Sequence, residues 1–218
     1  MICKIKLFIN SLIRIILRST AMKLLVLLLF IISCGSTSAI ESENECDENP
    51  IFLEKNGIVM VEAENVTISE GWELETDVEG YSGEGYLTWT PATNVQPNGQ
   101  GLLAYTFKIT NQGIYKVKIR NYHPCEDFTE CNDIFLKMND TEWRKNFNHT
   151  LAEWDWNSRQ DVDHVFSDAS YELEEGVHTL YLSGRSQDFS IDKIAIFHEA
   201  STENGYKTAE LSTCSKEN

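Results

Sequence analysis

Positive charge is scarce in this sequence. Its 218 residues hold 18 Lys and Arg against 34 Asp and Glu, a formal net charge of −16. A chain this acidic offers no basic stripe to neutralise a phosphate backbone, which excludes nucleic acid as a partner. Proline is rare too, and its 4 copies stay out of the apolar runs. No stretch sustains a 3.6-residue apolar period, so a helical bundle is excluded. Catalytic signatures are missing: there is no GxSxG elbow, no Walker loop, no GxGxxG in a βαβ setting, no CxxC pair and no HExxH. His123, His149, His164, His178 and His198 are scattered with no nucleophile motif beside them. Carboxylate pairs of the kind glycoside hydrolysis needs occur by chance in a chain this acidic and carry little weight. What is present is apolar: 42% hydrophobic and 11% aromatic residues argue for a packed globule over an acidic tail.

The charge is unevenly placed. Residues 1–34 contain Lys4, Lys6, Arg14, Arg18 and Lys23 and no acidic residue, so the rest of the chain sets 13 basic residues against 34 acidic ones. Within that segment Leu24–Ile32 is an unbroken apolar run, flanked by Lys23 and by Ser33-Cys34-Gly35-Ser36. A positive start, a short apolar stretch and small residues mark a secretory signal, and the run is too short to span a bilayer. Met22-Lys23 reads as a second natural start. Ile31-Ile32-Ser33-Cys34 resembles a bacterial lipobox, which implies lipidation at Cys34 and membrane attachment through that anchor alone. The alternative is cleavage after Thr37-Ser38-Ala39 and free secretion. Either way the expected location is outside the cytoplasm, as an outer-membrane or cell-surface lipoprotein or a secreted protein.

Export makes disulfides available. Cys46, Cys125, Cys131 and Cys214 remain after the signal, and four cysteines allow three pairings. Cys125 and Cys131 flank a short polar loop, while Cys46 and Cys214 lie near the two ends of the folded part. The expected bonds are therefore Cys125–Cys131 and Cys46–Cys214.

Residues 35–50 are rich in Ser, Glu, Asn and Asp and read as a tether. Residues 51–200 read as one series of short strands. They cover 58–64, 102–109, 114–120, 133–138, 165–173, 178–183 and 190–198, joined at Gly and Asn positions. The expected fold is all-β, a sandwich or jelly roll of about nine strands. Residues 201–218 read as a polar tail pinned by Cys214.

Several side chains are candidates for function. Glu62 and Glu64, two apart on a strand, share a face, and hard oxygen ligands of this kind suit Ca²⁺. Asp192 in the last strand is set among Ile191, Ile194 and Ile196 and is a candidate neighbour of the pair. The run Gly80-Tyr81-Ser82-Gly83-Glu84-Gly85-Tyr86 combines glycines with aromatic faces that can stack on sugar rings. Trp154-Asp155-Trp156 puts two indoles on one side if extended, with one expected buried and the other exposed. Arg120, Asn132, Asp133, Arg185 and Asp188, at strand ends or in loops, are candidates to hydrogen-bond hydroxyls or a uronate; Arg185 can equally pair with Asp188. The acids of the Cys125–Cys131 loop read as solvated surface.

From Ile58 to Phe197 the chain resembles the carbohydrate-binding modules of families 6 and 35, within the galactose-binding-like jelly rolls. The resemblance rests on the order of Val61-Glu62-Ala63-Glu64, Gly80–Tyr86, Gly113-Ile114-Tyr115, Trp154-Asp155-Trp156, Gly176–Leu180 and Ser190-Ile191-Asp192-Lys193-Ile194. It implies a structural Ca²⁺ held by Glu62, Glu64 and Asp192. It also implies a sugar cleft built from Tyr81 or Tyr86, Trp154 or Trp156, and Ser190, the last standing where family 6 usually has Asn. The expectation is a non-catalytic polysaccharide- or oligosaccharide-binding module, calcium-stabilised and displayed on a membrane, with a possible protein partner in a glycan-utilisation system. The alternatives are a surface protein using the same fold for protein contact and, more remotely, a small hydrolase or lyase.

Overall fold

The computed structural model describes residues 50–215. The signal, Cys34, Cys46 and nearly all of the tether lie outside those residues. In chain order the strands are β1 (Ile51–Leu53), β2 (Ile58–Glu62), β3 (Trp72–Glu75), β4 (Tyr86–Trp89), β5 (Leu103–Ile109), β6 (Gly113–Tyr122), β7 (Asp133–Met138), β8 (Arg144–Phe147), β9 (Arg159–Val162), β10 (Val165–Ser167), β11 (Ala169–Leu173), β12 (Gly176–Ser183) and β13 (Ser190–His198). A short helix, α1 (Glu203–Lys207), and β14 (Cys214–Ser215) follow.

The strands form two sheets. One has eight strands in the order β10-β9-β8-β7-β12-β5-β1-β14; the other runs β11-β6-β13-β4-β3, with β2 also paired to β13. The sheets bury one continuous core between them, including Trp89, Tyr105, Phe107, Val117, Ile119, Leu136, Leu182 and Ile194. Alternation does this directly. Along β6, Tyr115, Val117, Ile119 and Asn121 point inward, and Lys116, Lys118, Arg120 and Tyr122 point out. Asn121 is thus a polar residue on the core side, and its amide donates to the Ile119 carbonyl.

Three glycines collar Trp89. A Cβ on Gly184 would lie 2.1 Å from the indole, one on Gly101 2.2 Å and one on Gly71 2.5 Å. Neither the fully buried indole nor the backbone has room to move aside. Gly184→Ala is expected to destabilise the domain by about 3 kcal/mol or more, seen as a lower midpoint in chemical denaturation; an unchanged midpoint would show that the core yields there.

The sequence reading departs from this architecture in three places. The run 165–173 is not one strand: it breaks at Asp168, and β10 and β11 belong to different sheets. Asp168 turns to pair with Lys116 and Lys118 (3.2 and 2.9 Å). Several short strands, β9 among them, escape notice because their polar sequences lack a full apolar alternation. The tail is more than a polar pin. Thr202 caps α1 by accepting from the Gly205 amide (3.1 Å), and Tyr206 stacks on Phe197 with ring centroids 4.3 Å apart. Cys125 and Cys131 are bonded, with Cα atoms 6.1 Å apart, as the spacing led one to expect. Cys214 is also disulfide-bonded; its expected partner, Cys46, is outside the described residues. Among the described residues no helix is long and apolar enough to cross a membrane.

Candidate functional site

The outer face of the six-stranded sheet carries the candidate site. Ser190 is registered with Thr88 on β4 on one side and with Tyr122 on β6 on the other. Arg120, two residues before Tyr122, lies on the same face. Next to β6, where β11 has ended, Asp155 forms a single β-bridge with Asn121 through two backbone hydrogen bonds of 3.0 Å. That bridge sets 154–156 extended beside β6. Asp155 takes the inward register of Asn121, and both tryptophans take the outward one.

The loop is held from inside the sandwich by a polar chain. The Asn148 amide donates to Asn121 Oδ1 (2.9 Å), and the Thr150 amide donates to Asn148 Oδ1 (3.0 Å). Thr150 Oγ1 then donates to Asp155 Oδ2 (2.6 Å). Asn121 and Asn148 are fully buried, so each of these bonds forms in a low-dielectric surround where loss of a partner is costly.

Above the sheet, Trp154 packs edge-on against Tyr86 (5.0 Å, 68°) and tilted against Tyr122 (5.4 Å, 42°). Its indole N–H donates to the Glu79 carbonyl (3.2 Å), and the Arg120 guanidinium lies 5.5 Å from its ring. Gly80 passes beside the indole at a distance where a Cβ would be 3.2 Å from Trp154 Cδ1, which gives that glycine a packing reason. Tyr81, half-buried, extends the cluster through Tyr86 at 5.7 Å. Trp156 lies further along the same surface, edge-on to Tyr206 at 5.7 Å.

Below the aromatics lies a carboxylate cluster. Asp192 sits where β13 changes neighbour from β4 to β2, at an irregularity in its register, and is fully buried. It accepts from Arg120 Nη1 and from the Ser82 amide (2.7 Å). Ser82 Oγ bridges to Glu62 Oε2 (2.9 Å), and Lys193 pairs with Glu62 Oε1 (3.3 Å). Burial raises the pKa of Glu62, against the pull of Ser82 and Lys193. Glu64 accepts from the Glu84 amide (2.8 Å) through Oε1, but its Oε2 is buried with no protein partner. Burial lifts its pKa to about 7. Gly83, at φ +69°, holds the loop against both glutamates, so that a Cβ there would lie 2.1 Å from Glu64 Oε1.

These positions answer the residue-by-residue expectations. Tyr81, Trp154 and the acids Glu62, Glu64 and Asp192 gather in one region. Trp154 and Trp156 share a face as expected, but both are half-buried, in place of one buried and one exposed. Tyr86 is 1% exposed, its hydroxyl donating to Asp77 and accepting from the Val78 amide, so it supports Trp154 from beneath and presents no open ring face. Ser190 is buried too, its hydroxyl shared with Thr88 Oγ1 at 2.8 Å. Arg185 pairs with Asp133, and not with Asp188, and lies over the Phe135 ring of the eight-stranded sheet, away from the aromatic cluster. Asp188 is exposed at a turn with φ +64°. Asn132 is spent on the Phe128 carbonyl (2.9 Å). Tyr122 was missed, because the expected strand ended at Arg120; two more residues of the same alternation reach it.

A divalent cation must find oxygen ligands here. Glu64 Oε2, orphaned and close to Glu62, fits a hard ion; Asp192 is already committed to Arg120 and Ser82. Among the described residues no three His, Cys, Asp or Glu side chains stand as a ready-made metal cage. Glu62 is likewise engaged by Ser82 and Lys193, so a cation would centre on Glu64 Oε2.

The arrangement of the sheets matches known structures. Over 68% of this chain and 29% of that one, it superposes on a Podospora anserina GH26-CBM35 β-(1,4)-mannanase with a TM-score of 0.50 and 20% identity. The two share a two-sheet β-sandwich fold of the jelly-roll type. Isolated family 35 modules align over nearly their whole length, at lower scores. The module from Paenibacillus barcinonensis gives 20% identity, a TM-score of 0.43 and coverage of 65% of this chain and 99% of that one. The one from Clostridium thermocellum gives 15%, 0.44, 65% and 98%. No family profile and no curated protein matches the chain. This chain spans less than a third of the mannanase, and the likeness is one of fold over that part.

Proposed function

We propose that this jelly-roll module binds carbohydrate without catalysing its breakdown, through the outer face of the six-stranded sheet. The observation that carries the reading is Trp154. Its loop is fixed from inside by buried asparagines, and its ring is braced by Tyr86, Tyr122 and Arg120. One face of a half-buried indole held this firmly is a preorganised platform for the apolar side of a sugar ring, with little ordering cost on binding. The name of the mannanase that shares the fold supports the same reading. Retention on gels containing immobilised neutral polysaccharides tests it; failure to be retarded by any of them rejects it.

Within the reading, Ca²⁺ is held by Glu62 and Glu64, supported by the orphaned Glu64 Oε2 and the crowding at Gly83. The ion supplies positive charge to Glu64, since Glu62 already has Lys193, and it locks the Gly80–Gly85 loop that carries Tyr81. Chelation is expected to lower Tm, and saturating Ca²⁺ at about 100 times its Kd to restore about 2.7 kcal/mol. Identical melting curves in chelator and in calcium would remove the metal from the account. Export and a lipid anchor at Cys34 remain part of the proposal, supported by the basic, apolar and small-residue order of residues 1–34.

The second reading, protein contact, is favoured by the free edge strand β10. There Val165 is 65% exposed and Phe166 50% exposed, and Phe166 continues an aromatic row through Phe147 and His149. A partner that co-purifies and protects β10 from proteolysis would favour it.

A further inference from the structure

Two cavities open on the outer face of the six-stranded sheet, and Trp156 and Lys207 line both. The smaller, about 250 Å³, reaches Gly80, Ser82 and Arg120 beside Trp154. The larger, about 510 Å³, continues over Lys118 and Asp168 towards Tyr206. The two adjoin at Trp156 and Lys207, a groove that runs across the sheet from Gly80 and Arg120, the neighbours of Trp154, to Tyr206.

The wall of this groove is built by the C-terminal segment. Tyr206 stacks on Phe197 and meets Trp156 edge-on. The segment after α1 is sewn to the sandwich by the Ser212 amide on the Met60 carbonyl (2.8 Å) and the Leu53 amide on the Thr213 carbonyl (2.8 Å). Trp154 and Trp156 are two residues apart on an extended segment, which spaces them about 6.6 Å along it. They therefore present successive aromatic platforms on one surface.

The charges in the groove are paired. Lys116 and Lys118 share Asp168, Lys207 pairs with Glu203, Lys193 with Glu62 and Arg120 with Asp192, and Asp155 and Glu199 line the groove as well, so these five basic residues meet six acidic ones. The floor thus offers many donors and acceptors in alternating sign. That pattern suits hydroxyl groups and gives no surplus positive field for a polyanion.

We infer that the groove takes an internal stretch of an uncharged linear polysaccharide, with sugar units on Trp154 and on Trp156, and that recognition is not confined to a chain end at Trp154. The inference rests on the carbohydrate-binding reading and adds the ligand's form to it. It gives Trp156 a role separate from that of Trp154: the second platform is needed only by ligands long enough to reach it.

The test is calorimetric titration with a ladder of neutral oligosaccharides, from disaccharide to hexasaccharide, cut from whichever polysaccharide retains the protein. Wild type is expected to gain about tenfold in affinity along the ladder, the scale of one added aromatic contact. Trp156→Ala is expected to flatten that gain while still binding the shortest sugars. Asn157→Ala, an exposed change at the groove rim, is expected to reduce the gain in the same direction and stands in should Trp156→Ala fail to fold. Equal affinity of wild type for all lengths overturns the groove and leaves the carbohydrate reading intact. So does a folded Trp156→Ala protein that binds the hexasaccharide like wild type. Absence of binding to any polysaccharide overturns both.

Discussion

Replacing Arg120 by alanine is expected to cost about 3–5 kcal/mol of stability, because it strands a buried carboxylate. Asp192 is fully buried, and among the described residues its side chain keeps only Ser82 as a hydrogen-bond donor beyond Arg120. A charge removed from water is tolerable only with its counter-ion and hydrogen bonds in place. At about 2–4 °C per kcal/mol for a domain of this size, the loss corresponds to a fall in Tm on the order of 10 °C. The same guanidinium donates to the Gly80 carbonyl (2.9 Å) and lies against Trp154, so the loop and the indole loosen together. Arg120→Lys keeps the charge but gives up the planar fork that serves Asp192 and Gly80 at once, and is expected to fall between wild type and alanine. Thermal unfolding of the three proteins checks this. A Tm for Arg120→Ala within about 2 °C of wild type, the shift of a loss of about 1 kcal/mol or less in a domain of this size, would mean that Asp192 finds other partners.

Trp154→Ala is expected to abolish measurable glycan binding while leaving the sandwich folded. The ring packs on an outer surface and not in the inter-sheet core, so its removal exposes Tyr86 and Tyr122 without opening a central cavity. A buried aromatic anchor is worth about 2 kcal/mol or more at a binding site, and 1.4 kcal/mol is about tenfold in Kd. Since a shallow single-module site binds weakly to begin with, a loss of that size takes the interaction below detection. Tyr81→Ala removes a ring at the margin of the cluster and is expected to weaken binding less. Titration of folded variants against a retained polysaccharide decides the order; Trp154→Ala binding like wild type would place the site elsewhere.

The fold was legible in the sequence because its long strands alternate. β5 and β6 carry uninterrupted inside–outside patterns, whereas β12 loses the alternation at its end and β13, buried at nearly every position, is legible as an apolar run between Ser190 and His198. What stayed hidden were features without a local signal. The break at Asp168 depends on two lysines of another strand. The helix at Glu203–Lys207 is too short for periodicity to show, and its packing comes from one tyrosine on Phe197. The acids Glu62, Glu64 and Asp192 were gathered correctly, yet their partners were not foreseen, since Arg120, Ser82 and Lys193 reach them by strand register and not by proximity in sequence. Ser190 and Tyr86 illustrate the opposite error. They lie in the region expected of them, but burial commits their polar atoms to Thr88, Asp77 and Val78. Charge accounting also changed meaning: on the sheet face that carries the site, basic residues of an acidic chain are concentrated and held in ion pairs, Lys116 and Lys118 sharing Asp168.

Affinity electrophoresis of the wild-type protein through a panel of neutral and anionic polysaccharides tests the central claim most directly. The account predicts retardation by at least one neutral polysaccharide, abolished in Trp154→Ala. Migration unaffected by every polysaccharide, or retardation that Trp154→Ala retains in full, would contradict it.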